Sequence, residues 1–171
     1  MTWSILARDA ATGEIGVAVA SRFLAAGALC PRVEGDVGAA ATQALVNPFI
    51  APDALARLRA GEAPDHALAA LIAADPGAAV RQAHLLSADG AIAAHTGGDC
   101  IGWCGHVTGP DVSVAGNMLA GPEVVAATRD AFLDSAGLTL AERLLAAMEA
   151  GEAAGGDKRG RQSAAIQVAS G

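Results

Sequence analysis

The sequence has 171 residues, enough for one domain with a real core, and 53% of them are hydrophobic while only 3% are aromatic, so the interior must be packed with Ala, Val, Leu and Ile. The formal net charge is −7 and Lys158 is the only lysine, which leaves no basic stripe to track phosphates and excludes nucleic acid as an expected partner. No apolar run approaches the roughly 18 residues of a membrane span and no basic leader opens the chain, so no membrane is expected; three cysteines, an odd number, fit a reducing cytoplasm.

Met1 is followed by Thr2, a small residue beside which the initiator methionine is normally trimmed. Trimming leaves Thr2 with a free α-amine next to its own hydroxyl, one way to activate a weak nucleophile. The plainer reading makes Thr2 the start of a strand. Ser4–Ala7 and Glu14–Ala20 are predicted as strands joined by a turn through Asp9, Thr12 and Gly13. Val37–Ala44 is a further strand of small residues, broken by Asn47-Pro48.

One helix is predicted from Pro52 to Gly61 and a second from Pro64, with Leu68, Leu71 and Ile72 on its apolar face and Asp75-Pro76-Gly77 as its stop. Val80–Ser87 and Ala91–His95 flank a hairpin turn at Asp89-Gly90. The glycine-rich stretch Gly97–Gly109 reads as an irregular lining segment. Val112–Ala115 is strand-like, and Pro122–Asp134 is a helix. Thr139-Leu140-Ala141-Glu142 is a capping box that opens a helix closed by Gly151. Gly155–Gln162 is a polar loop and Ser163–Ala169 a last strand. Runs of strands alternating with helix pairs predict an α+β domain over residues 1–171, with two sheets face to face, each backed by two helices.

This order, with Thr2 at its head, resembles the four-layer αββα sandwich of the N-terminal-nucleophile hydrolases. The strand Gly16–Ala20 with Ser21-Arg22 is similar to the first hairpin of the proteasome-type members. More closely, Ser21-Arg22-Phe23, Ala41-Thr42-Gln43-Ala44, His95-Thr96-Gly97, Gly116–Gly121 and Gly155–Ser163 resemble a bacterial family of unknown function placed in that superfamily. The resemblance implies Thr2 as nucleophile, with oxyanion-binding backbone N–H groups at Gly116 and Asn117 in a turn before a helix. Two departures stand beside it. Ala20 occupies the place of the proteasome-type aspartate, and Arg32 falls near the place of the tuning lysine, where a guanidinium cannot accept a proton.

Other residues carry paired readings. Arg22 is a fork for a substrate carboxylate or a surface ion pair. Lys158 and Arg159, with Arg161, form an anion-binding loop or an internal pair with Asp157. Thr42, Gln43 and Asn47 orient an amide substrate or satisfy the backbone where the strand breaks. His95 and His106 hydrogen-bond a substrate or their own loop. With Cys100 and Cys104 they match none of the usual structural zinc spacings, so no metal or other cofactor is expected. Cys30 is expected as a buried small hydrophobe, and His66 and His84 as structural or exposed.

The leading expectation is an amidohydrolase acting on a small, carboxylate-bearing amide. The competing one is a non-catalytic ligand-binding or assembly protein. An apolar chain with few charges is also expected to form a homodimer or higher homo-oligomer. The family commonly runs past the last strand, so an element beyond Gly171 is expected.

Overall fold

The computed structural model describes residues 2–171. Met1, whose removal the sequence predicts, lies outside them. Nine strands and five α-helices follow in order: β1 (Thr2–Arg8), β2 (Ile15–Ser21), α1 (Ala26–Leu29), β3 (Pro31–Glu34), β4 (Gly38–Ala44), α2 (Ile50–Arg59), α3 (Pro64–Ala74), β5 (Arg81–Ser87), β6 (Ile92–Thr96), β7 (Trp103–Gly109), β8 (Val112–Leu119), α4 (Pro122–Asp134), α5 (Leu140–Ala153) and β9 (Ser163–Ala169). The fold is mixed α+β, built on two antiparallel sheets in the orders β7-β8-β1-β2-β9 and β3-β4-β5-β6. None of the described helices is long and apolar enough to cross a membrane.

The pleat of β1 sorts its residues onto two faces. Trp3, Ile5 and Ala7 join Val112, Val114, Val124, Phe132, Leu140 and Leu144 in a core against α4 and α5. Leu6 faces the other way and packs with Ile15, Val17, Ala39, Ala41 and Leu86, which come from both sheets. Ala40, Ala83 and Leu85, on the far face of the second sheet, pack on Ile50, Ala54, Leu55, Ala67 and Leu68 of α2 and α3. Small side chains make these tight contacts possible where aromatics are scarce.

Local signals hold where the chemistry is local. Both halves of the Thr139–Glu142 capping box form, and Pro64 and Pro122 open α3 and α4. Four elements differ from expectation. The Gly97–Gly109 stretch contains strand β7, paired with β8 along its length; its glycines and the exposed His106 and Thr108 hide the alternation. Strand β3 and helix α1, four residues each, carry too little pattern to be seen in the sequence. Strand β8 runs through Gly116, Asn117 and Met118 to Leu119, so these residues lie in a central strand, not in a turn before a helix.

Candidate functional site around Thr2

Thr2 heads the central strand β1, paired with Ser21 of β2 on one side and Asn117 of β8 on the other. It is 5% exposed. Its Oγ1 shares a 3.0 Å hydrogen bond with Ser21 Oγ. Its carbonyl accepts from Asn117 Nδ2 at 3.2 Å and, more weakly, from Gln43 Nε2 at 3.4 Å. Gln43 Nε2 lies nearer to Ala115 O (3.0 Å) and Gln82 Oε1 (3.1 Å), so the Thr2 carbonyl is held chiefly by Asn117 of its own sheet.

Behind it lies a buried polar network. Gln82 is its hub: Oε1 accepts from Asn117 Nδ2 at 3.0 Å and Gln43 Nε2 at 3.1 Å, while Nε2 donates to the carbonyls of Gly116 and Gly105 and to Thr96 Oγ1. Ser4 Oγ donates to Gln43 Oε1 at 2.7 Å and lies 2.9 Å from His84 Nε2. Because Ser4 has a single proton and spends it on Gln43, His84 Nε2–H donates to Ser4, and His84 Nδ1 accepts from Ser113 Oγ, 2.9 Å away. Full burial, reinforced by the nearby His106, pushes His84 down to about 3, so this ring is neutral.

The two hydrogens of Asn117 Nδ2 go to Thr2 O and Gln82 Oε1. The side chain thus positions Thr2 and has no Nδ2 hydrogen left for another acceptor. Gly116 offers its carbonyl to Gln82, and a Cβ there would collide with Leu119.

Other expected residues fall elsewhere. Thr42 alternates with Gln43 and so lies on the Ala40 face, turned toward α2 and away from Thr2. Asn47 accepts from Phe49 N through Oδ1 and orders the entry to α2. His95 bonds the Ala78 carbonyl and His106 bonds Thr96 Oγ1, which places both beyond Gln82. Partial burial first, and then His95, lower the affinity of His106 for a proton. Among the described residues no group of three or more His, Cys, Asp or Glu is placed to hold a metal ion. Arg32 donates to the carbonyls of Ala28 and Pro31, a local role.

The basic loop is partly self-neutralised. Asp157, 7% exposed, accepts from the backbone N–H of Arg22 and of Arg159 and pairs with the Arg159 guanidinium at 3.3 Å. Arg22 Nη1 donates to the Arg159 carbonyl at 2.6 Å. Arg159 also reaches the small recess beside Thr2, about 50 Å³, whose other walls are Phe23, Cys30, Gln43, Ala44 and Val46. Burial pushes the Cys30 thiol up to about 11, so it stays protonated and is no rival nucleophile.

A ring of hydrogen bonds encloses this end of the sheets. Segment 22–30 is tied to 157–163 by Arg22 N to Asp157 and by Ser163 Oγ to the Phe23 carbonyl. The circuit continues through Ala120 N to Gly156 O, Met118 N to Ile101 O, Asp99 N to Ala79 O and Leu45 N to Val80 O, and returns through Thr42 N to Cys30 O. A buried Arg81–Asp75 pair at 2.7 Å pins one quadrant. Ala25, Ala44 and Met118 adopt positive φ on this collar (55°, 72° and 54°), a strained conformation for residues with no side chain able to bond the backbone. The other two non-glycine residues with positive φ, Asp36 and Asp111, occupy turns where aspartate tolerates it.

A larger cavity of about 640 Å³ lies between α5 and β9. Trp3, Ala20, Leu145, Met148 and Ile166 line it. It opens on the Trp3 face of the sheet, and Ser21, Glu149, Glu152, Arg161, Gln162 and Ser163 line it beside these apolar side chains.

Sequence reasoning missed Ser4, Gln82, His84 and Ser113. Their signal was present: polar residues two or four apart, on one face of apolar strands (Thr2 and Ser4; Gln82 and His84; Ser113 and Asn117). It becomes readable only once a second sheet is known to cover that face.

The model of a family of unknown function, DUF1028, matches residues 2–171, and the chain belongs to that family. A crystal structure of a DUF1028 protein from Silicibacter pomeroyi is similar, with 38% identity and a TM-score of 0.92 over 98% of this chain and 72% of that one. No curated protein matches significantly.

Proposed function

We propose that this DUF1028 protein is an amidohydrolase of the N-terminal-nucleophile type, and that its two sheets and flanking helices are the four-layer αββα sandwich of that class. The observation that carries the reading is the clamping of Thr2: a residue at the head of a central strand, buried, with its carbonyl held by Asn117 and its hydroxyl on Ser21. A merely structural first residue needs no such grip.

With Met1 removed, Thr2 Oγ1 attacks the substrate carbonyl and its proton passes to the α-amine of Thr2. The tetrahedral intermediate collapses as that proton moves to the leaving nitrogen, which departs as an amine. Water, deprotonated by the same amine, then hydrolyses the threonyl ester. Arg22, Lys158 and Arg159, which enrich one side of the collar in positive charge within an acidic protein, suit a small carboxylate-bearing amide. Self-association is supported by strand β9, an edge strand with Ile166 and Val168 exposed, and light scattering at micromolar concentration tests it.

The decisive experiment joins mass spectrometry of the N-terminus to an assay against N-acyl and ureido acids. A Thr2 N-terminus with hydrolysis is expected. Uniform retention of Met1 would remove the amine base and favour the non-catalytic binding reading, for which the missing acid at Ala20 and the locally engaged Arg32 already speak.

A further inference from the structure

The four most exposed large hydrophobic residues among the described residues are Leu24 (73%), Phe49 (72%), Ile101 (69%) and Leu45 (65%). All four lie in the loops of the collar around Thr2 and none lies in a helix or strand. Phe23, also exposed, walls the recess beside Thr2. Water-facing leucine and phenylalanine cost solubility, and their gathering at one end of a molecule marks a contact surface.

The recess itself is too small to explain them. At about 50 Å³, against about 640 Å³ for the cavity between α5 and β9, it takes only the small reacting part of a ligand. Any longer part of a ligand at Thr2 must lie outward over the collar. That collar gathers its charges on one part, where Phe23 and Leu24 also lie, and is apolar on another. Segments 22 and 157–161 bring the cations Arg22, Lys158, Arg159 and Arg161, against the carboxylate of Asp157 and that of Glu152, which pairs with Arg161. Segment 45–49 brings Leu45 and Phe49, whose amides bond Val80 O and Asn47 Oδ1, while the Asn47 and Phe49 carbonyls accept from α2.

Building on the hydrolase reading, we infer that the substrate is an amide with an apolar arm of several carbons on one side of the scissile bond and an anionic group on the other, the arm lying across Leu45 and Phe49 and the anion toward the Arg22–Lys158 side. An arm on an open surface gains less than one in a closed pocket, so each added methylene should raise kcat/KM roughly twofold, about half the effect of full burial.

The test is a series of N-acylglycines from acetyl through butanoyl and hexanoyl to octanoyl, with N-alkyl succinamates as the mirror series carrying the arm on the amine side. We expect kcat/KM to rise roughly 16-fold from acetyl to hexanoyl in one of the two series, and a Leu45→Ser/Phe49→Ser variant to bring the hexanoyl-to-acetyl ratio toward one. Hydrolysis with no dependence on chain length in either series would overturn the inference and leave the hydrolase reading standing. If nothing is hydrolysed, the hydrolase reading falls, and calorimetric binding of the same compounds decides the collar by itself: affinity rising with chain length supports it, and flat affinity or no binding overturns it. A flat series, together with a variant that turns from dimer to monomer in light scattering, would assign the apolar rim to contact between copies and overturn the inference.

Discussion

At the Thr2 end, the space between the sheets is filled by Ser4, Gln43, Gln82, His84, Ser113 and Asn117; at the other end it is filled by Leu6, Ile15, Val17, Ala39, Ala41 and Leu86. The same two sheets, and often the same strands, supply both. The apolar half removes hydrocarbon from water without dictating orientation. The polar half gains little net energy, because each bond replaces one to water, yet every member fixes the direction of the next. Strain follows the same division, with Ala25, Ala44 and Met118 at the polar end. One end stabilises the protein and the other aims Thr2.

The largest effect that can break this contrast is on turnover. Thr2→Ala should lower kcat by more than about 10³-fold while shifting the urea midpoint little, because only one hydroxyl bond to Ser21 is lost. Persistent activity would move the chemistry elsewhere. At the apolar end, Leu86→Ala should cost about 2–5 kcal/mol of stability and leave activity per folded molecule in place. Gln82→Leu at the polar end should do something different. It leaves Gln43 and Asn117 short of a partner at a cost of about 1–3 kcal/mol, and it should lower kcat by roughly 10–100-fold by loosening Thr2. If Gln82→Leu and Leu86→Ala move only stability, the two ends do not differ in kind.

A smaller effect comes from acid. Folding lowers the proton affinity of His84, so its contribution is complete above the ordinary value of 6.5 and is lost as pH falls from there toward about 3. Comparing urea midpoints at pH 7 and pH 5, the native protein should lose about 2 kcal/mol more than His84→Gln, which has no ring to protonate. Equal losses would mean that His84 is not held neutral. The smallest change expected is a gain. Ala44→Gly should relieve left-handed backbone strain and stabilise by about 1 kcal/mol, whereas Asp36→Gly, in an ordinary turn, should be close to neutral.

The sequence made the local parts of this molecule readable. Thr139 and Glu142 announce their own cap, Asp89-Gly90 its turn, and Pro122 its helix, because the atoms that decide these features are within a few residues. The nearness of Thr2 to Asn117 was legible through the family likeness, although the segment proved to be a strand. What could not be read depends on which face meets which. Thr42 and Gln43 are neighbours of similar polarity, and only the position of the second sheet sends Gln43 to the site and Thr42 to the helices. For the same reason His84 passed for an ordinary histidine until Ser4 and Ser113, 80 and 29 residues away, closed on it.

The pairing of β1 also sets a clock. Thr2 meets Ser21, 19 residues downstream, early in synthesis, but Asn117 lies 115 residues away. A ribosome adds roughly 5–20 residues per second, so the partner that clamps the Thr2 carbonyl leaves the tunnel on the order of ten seconds after Thr2 itself. During that interval the head of β1 has one flank open to an aminopeptidase. Once β8 docks, Thr2 is buried. On the proposed N-terminal-nucleophile reading, maturation is a race between trimming and the arrival of the eighth strand, and the late position of Asn117 in the chain gives trimming its head start.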